Sequence, residues 1–247
     1  MALREELERT GNWLFRWRSY VPLGLVLPML LAMHHPDFLR QDRGGDDLWA
    51  LVCLAVSLVG LGIRVITVGH VPRGTSGRNT REGQVAEVLN TTGMYSLVRH
   101  PLYLGNFVIW LGVSLFCRLW WLTAIFVLVF WIYYERIMFS EEEFLRRKFG
   151  EAYLIWADQT PAFLPRLTGW KRPELPFSLR TVLRREYPGF FAICACFFAL
   201  EAYQRVVIRG EWRPNVLWTG VLVVGAVVFL TLRTLKRCTG LLVVEGR

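Results

Sequence analysis

The stretch Thr92 to Asn106, T-G-M-Y-S-L-V-R-H-P-L-Y-L-G-N, gathers Tyr95, Arg99, His100 and Tyr103 where the chain enters an apolar run. A guanidinium, an imidazole and two phenol rings at a membrane entrance can grip a small charged molecule. Pro101 suits the first turn of a helix, where its missing N–H would have had no partner, so Arg99 and His100 fall at or just before a helix N-terminus. That end carries partial positive charge and free N–H groups, a seat for a carboxylate or a phosphate. A basic stop at the membrane surface would use the same residues without chemistry.

A second polar patch follows the next apolar run. It holds Tyr133, Tyr134, Glu135 and Arg136, then Glu141, Glu142 and Glu143, then F-G-E-A-Y at 149–153, and it closes with Pro161 and Pro165. If one helix carries this patch, Arg136 and Ser140 share a face while Arg136 and Glu141 stand about 140° apart. Arginine and acids then border one rim without needing to touch. A solvated helix end would show an ordinary mix of the same charges.

The elements that must position these patches are membrane helices. Of 247 residues 53% are hydrophobic, with 11 Trp and 16 Phe, and several apolar runs approach the roughly 20 residues that span a bilayer as a helix. The expected fold is all-α, a polytopic membrane bundle of about six transmembrane helices at 20–33, 48–69, 102–117, 119–138, 189–208 and 214–232, behind an interfacial helix over 1–19. Only Cys117, Arg118 and Leu119 join the third and fourth spans, which demands a tight antiparallel hairpin. The segment before it (70–100) and the segment after 135 therefore emerge on one side. Residues 1–247 form a single membrane domain, with the chemistry in 70–166 and an amphipathic segment plus two further spans in 167–247.

Charge sets the orientation. Of 29 Lys and Arg, 22 fall in the N-terminal stretch, 70–100, 135–187 and the C-terminal tail, against five on the other side. This imbalance puts both termini and both long polar segments in the cytoplasm. The net charge of +9 is then that of loops facing an anionic phospholipid surface, which argues against a nucleic-acid partner. The basic segment before Pro188 reads as an amphipathic helix lying on that surface. The run P-R-G-T-S-G-R-N-T-R at 72–81 suits a phosphorylated headgroup or a flexible basic loop.

Other features read as structural. Five cysteines lack metal-type spacing, and no metal is expected. No cleavable signal peptide is expected ahead of the first apolar run. Gly60-Leu61-Gly62 lies inside a membrane helix and does not follow a strand, so it is no dinucleotide fingerprint. Arg64, near the end of its span, is expected to snorkel to the surface, and Glu201 and Arg205 to form an i,i+4 ion pair.

Taken together, T-x-G-x-Y-x-x-x-R-H-P-x-Y-x-G, a short helical hairpin, R-I, a Glu pair, L-x-x-x-F-G-x-x-Y and a closing proline resemble the isoprenylcysteine carboxyl methyltransferase and phospholipid methyltransferase superfamily of membrane enzymes, over about residues 85–166. The resemblance implies S-adenosylmethionine bound at the cytoplasmic face of an integral, bacterial inner-membrane protein. Its contacts would fall on Glu87, Val88, Leu89, Asn90, Tyr95, Val98, His100, Pro101, Leu102, Tyr103 and Glu141. Glu87 stands where some relatives carry His. Arg136 matches the arginine assigned to substrate, with Arg99 and Asn106 as further substrate contacts. The spacing from Arg136 to the glutamates is one residue longer than in some relatives, so Glu142 can take the place of Glu141.

The chemistry of that donor divides among these groups. Glu141 and the Tyr95 and Tyr103 rings suit a sulfonium, His100 and the helix-start amides a carboxylate, and Val98 with Leu89 an adenine. Methyl transfer is an in-line displacement governed by alignment. A carboxylate or phosphate acceptor needs only an orienting arginine, whereas an amine needs a base, for which Glu142 and His100 are the candidates. The acceptor implied is a membrane-embedded lipid or lipidated molecule. Two other functions use the same style of bundle: an NADPH-dependent sterol-type reductase and a non-catalytic membrane scaffold.

Overall fold

The computed structural model describes residues 2–18, 20, 24–41, 45–72, 74, 79–80, 83–84 and 86–247. Their apolar runs fold as helices. In chain order these are α1 (Leu3–Trp17), α2 (Val26–Ala32), α3 (Pro36–Leu39), α4 (Asp46–His70), α5 (Pro101–Leu115), α6 (Trp120–Phe149), α7 (Glu151–Gln159), α8 (Leu179–Tyr203) and α9 (Val216–Cys238). A π turn over Gln204–Ile208 prolongs α8. The fold is all-α. Beside the helices the described residues hold a two-residue antiparallel pair, β1 (Asn79–Thr80) and β2 (Gly83–Gln84), with Asn79 opposite Gln84.

Helices α4, α6, α9 and α8 with its π turn are long and apolar enough to cross a membrane, and α5 is a shorter apolar helix. Five of the expected spans fall on these. The sixth, at 20–33, contains the seven-residue α2, about 10 Å long and too short to cross alone. Residues 21–23 lie outside the described residues, as do Arg73, Arg78 and Arg81 of the basic run at 72–81.

Close helix packing explains several small residues. A Cβ on Gly60 would stand 2.6 Å from Gly105 O, and one on Gly112 would stand 2.3 Å from Ser57 Oγ. The α4–α5 contact is therefore the backbone-to-backbone kind that small residues permit in membranes, and Ser57 Oγ seals it by donating to Ile109 O at 2.9 Å. The hairpin between α5 and α6 turns at Arg118, whose φ of 52° is left-handed. Its N–H donates to Leu115 O at 3.0 Å, and its guanidinium reaches Asp46 at 3.2 Å.

The basic segment before Pro188, expected as a separate surface helix, is instead the first part of α8. Ser178 caps that helix, its Oγ accepting from Thr181 N at 3.3 Å. Pro188 has no N–H for Arg184 O, and Lys236 Nζ of α9 donates to that carbonyl at 3.3 Å. The helix thus passes its proline with the freed acceptor satisfied.

Two apolar clusters hold the bundle. Met29, Cys53, Val113, Phe197, Leu200 and Trp218 join α2, α4, α5, α8 and α9, while Phe15, Tyr103, Phe130, Tyr134, Ile137 and Phe163 join α1, α5 and α6 to the loop after α7. Far from these polar patches, Arg205 Nε meets Glu201 Oε1 at 2.9 Å, the i,i+4 pair expected, and Arg205 Nη1 also meets Glu211 Oε2 at 3.0 Å.

Candidate active site

The R-H-P segment is sewn to the chain that follows α7. Arg99 N donates to Pro161 O at 2.9 Å, His100 N to Ala162 O at 3.3 Å, and Arg166 N to Leu97 O at 2.9 Å. Trp156 Nε1 adds a bond to Tyr95 O at 3.2 Å. The closing prolines therefore lie in the strip of chain that docks this segment. His100 precedes Pro101 at the N-terminus of α5, and Tyr103 follows within the first turn.

Helix α6 runs on past its apolar half for 30 residues in all and delivers the glutamates to the same place. Glu142 Oε1 lies 2.9 Å from His100 Nε2 and 2.9 Å from Arg99 Nε, while Glu141 Oε2 faces His100 Nδ1 at 3.6 Å. Arg99 Nη1 also donates to Ala157 O at 2.7 Å. The His100 ring stacks on Tyr103 with centroids 5.6 Å apart, and Tyr103 leans on Tyr134 at 4.9 Å. Burial favours the neutral imidazole, but the hydrogen bonds and negative charges of Glu141 and Glu142 outweigh it and raise the His100 pKa above its ordinary value.

These groups wall one end of a cavity of about 1000 Å³. Tyr95, Arg99, His100, Tyr103 and Glu141 form its polar end. Arg64, Asn106, Tyr134 and Glu186 come next, and Ile109, Val113, Ile193 and Leu200 lead on to Tyr203. From Glu186 to Tyr203 along α8 the distance is about 26 Å, close to the thickness of a hydrocarbon core. Glu141 Oε2 is buried at the polar end and has no hydrogen-bond partner among the described residues. A buried carboxylate oxygen in that condition suits a cationic guest, and the N–H groups opening α5 suit an anionic one.

Of the residues expected at the site, Tyr95, Arg99, His100, Pro101, Leu102, Tyr103, Asn106 and Glu141 line the cavity together. Glu142 stands behind His100 and Arg99. Val98 is fully buried in packing. Glu87 and Val88 are exposed, and the Asn90 side chain is spent on its own loop, accepting from Thr92 N at 3.3 Å. Arg136 is turned to the opposite side of α6, where its Nη1 donates to Thr10 Oγ1 of α1 at 3.2 Å. Ser140 shares that face and bonds Asn12 Oδ1 at 2.7 Å. The 140° of helix between Arg136 and Glu141 separates the face that docks α1 from the face that lines the cavity.

Two cavity residues, Arg64 and Glu186, were not expected here. Arg64 does not snorkel: it points inward and pairs with Glu186. The only trace in the sequence was a lone cation in one apolar run and an acid just ahead of another. Among the described residues no three His, Cys, Asp or Glu converge as a metal site would require.

Residues 50–152, from α4 to the first turn of α7, match the phospholipid methyltransferase family. A nickel-cobalt-cadmium resistance protein of Alcaligenes xylosoxydans xylosoxydans is 40% identical over 62% of this chain and 64% of its own length. A cobalt-zinc-cadmium resistance protein of Cupriavidus metallidurans is 36% identical over 50% of this chain and 54% of its own. A protein-S-isoprenylcysteine O-methyltransferase of Schizosaccharomyces pombe is 33% identical over 32% of this chain and 33% of its own. The chain spans less than two thirds of the length of each of these relatives. No solved structure matches it.

Proposed function

Because residues 50–152 are those of the isoprenylcysteine carboxyl methyltransferase and phospholipid methyltransferase superfamily, we propose that this protein is an integral membrane methyltransferase that uses S-adenosylmethionine. When bound, that cofactor supplies a methyl group on a cationic sulfur. The observation that carries the reading is the unpartnered oxygen of Glu141, buried in a cavity wall beside Tyr103 and His100. Glu141 and the rings of Tyr95 and Tyr103 hold the sulfonium end by charge and ring quadrupole. His100, kept cationic by its two glutamates, and the opening N–H groups of α5 hold the carboxylate end. Glu142 orients the imidazole through its bond to Nε2.

The acceptor is a lipid or lipidated molecule whose chain lies in the apolar length of the cavity while its reacting atom reaches Tyr103 and Glu141. The relatives named as O-methyltransferases favour an oxygen acceptor. The polar end of the bundle faces the cytoplasm, in keeping with 22 of 29 Lys and Arg on that side. Membranes containing the protein, incubated with methyl-labelled S-adenosylmethionine and extracted for mass spectrometry, should yield a lipid heavier by one methylene. Absence of labelled lipid and of S-adenosylhomocysteine binding would sink this reading, and NADPH oxidation by the same membranes would replace it with a reductase.

A further inference from the structure

Arg64 is buried inside an apolar helix and yet fully engaged on one side. Its Nε and Nη2 meet Glu186 Oε2 and Oε1 at 2.8 and 3.0 Å, and its Nη1 donates to Asn106 Oδ1 at 2.7 Å. Asn106 Nδ2 in turn donates to Tyr134 Oη at 3.0 Å. Gly105 makes the crossing possible, for a Cβ there would stand 2.5 Å from Arg64 Cγ. The arrangement joins α4, α5, α6 and α8 through one guanidinium.

Removing two charges from water costs several kcal/mol per ion before their attraction offsets it, and an apolar pair would often hold helices as well. Such a pair therefore invites a role beyond packing. The two partners are unequally placed: the Glu186 side chain is 6% exposed and that of Arg64 23%, so the carboxylate lies behind and the guanidinium faces the cavity. A guanidinium has five N–H groups, of which three go to Glu186 and Asn106, leaving two for a guest. Four arginines (Arg18, Arg64, Arg99 and Arg185) line the cavity against two glutamates. Glu141 is given to the sulfonium, so the remaining field favours an anion.

Resting on the methyl-transfer reading, we propose that Arg64 fixes the headgroup of the acceptor, that Glu186 positions Arg64, and that the acceptor is an amphiphile with an anionic oxygen head and an apolar chain along α8. Arg64 occupies the layer between the polar end and the apolar length of the cavity. A head stopped there presents its oxygen to Tyr103 and Glu141 while its chain runs toward Leu200. An oxygen lone pair forms the new O–CH₃ bond as the S–CH₃ bond breaks and its electron pair returns to sulfur. The negative and positive charges cancel and no proton moves, so an arginine, which cannot accept one, suffices. Helix α8 lies outside the residues that match the family, so Glu186 is where this chain adds a selectivity of its own.

The test compares hexadecanoate, hexadecyl phosphate and hexadecylamine as ligands of the full-length protein in nanodiscs, with S-adenosylhomocysteine affinity and melting temperature measured alongside. Because R64Q alone would strand a buried carboxylate, the main variant is the neutral pair R64Q/E186Q, which keeps shape and hydrogen bonding. The native protein should prefer one or both anions over the amine, the better of them naming the head as carboxylate or phosphate. The double variant should lose roughly tenfold in anion affinity with S-adenosylhomocysteine affinity and melting temperature unchanged. E186Q alone should give a smaller, equally anion-selective loss. Equal binding of all three amphiphiles, or an unaltered preference in the double variant, would overturn the proposal. Intact anion preference without S-adenosylhomocysteine binding would support the anion site and remove the methyl-transfer reading.

Discussion

His100 and Glu142, forty-two positions apart in the chain, are joined by a 2.9 Å contact between Nε2 and Oε1. Glu141 faces the other ring nitrogen of His100 at 3.6 Å. One imidazole thus ties the start of α5 to the extended end of α6, and the cavity wall exists only while that tie holds. Tyr103 and Glu141 line the same cavity because of it.

The raised pKa of His100 makes this tie pH-dependent. A group whose folded pKa lies above its unfolded value contributes fully below the unfolded value, about 6.5 for histidine, and the contribution is lost as pH rises through the folded value. His100→Asn should therefore lower the melting temperature most on the acid side, and its deficit against the native protein should shrink as pH rises. Thermal scans in detergent across that range check this. A deficit independent of pH would mean that the charge of His100 adds nothing.

Glu141 can be tested by the difference between two ligands. Glu141→Gln keeps the shape and removes the charge, so S-adenosylmethionine should bind roughly tenfold more weakly, the scale of a charge-assisted contact. S-adenosylhomocysteine has no sulfonium charge and should lose less. Calorimetry showing equal losses for both would detach Glu141 from the sulfonium.

Gly105→Ala should strike stability and the Arg64 network together. The added Cβ would lie 2.5 Å from Arg64 Cγ and 2.8 Å from Gly60 O. The second atom is backbone and cannot yield without parting α4 from α5, an overpacking worth about 1–3 kcal/mol. Gly62→Ala is the control, since a Cβ there meets nothing within 4 Å. Equal melting temperatures for the two variants would contradict the close α4–α5 approach.

The helices and their hairpin were legible in the sequence because each is written locally, in the length of an apolar run and in a linker of three residues. The gathering of Tyr95, His100, Tyr103 and Glu141 followed from the same hairpin. The facing of side chains was not legible. Arg64 in an apolar run satisfies snorkelling and inward pairing equally well until Glu186 is seen beside it, and Glu186 belongs to a helix whose continuity through Pro188 depends on Lys236 of a different helix. Val98 and Asn90 were placed by motif position, yet one is consumed by packing and the other by its own loop.

Arg136 offers the sharpest contrast between motif and packing. It and Ser140 form the floor on which α1 sits, and a Cβ on Gly11 would come within 2.1 Å of Arg136 O. Arg4 with Glu143 and Arg147 with Glu8 fasten the remaining turns of α1. Gly11→Leu cannot be accommodated against a backbone oxygen, so α1 should lift from α6 and its arginines become open to trypsin while the cavity stays intact. Arg136→Ala removes a single bond to Thr10 and should leave S-adenosylhomocysteine affinity unchanged, with a modest rise in cleavage of α1. If Arg136→Ala instead abolishes methyl transfer while α1 remains protected, the arginine acts on the acceptor, and α6 must rotate or α1 must leave for it to do so.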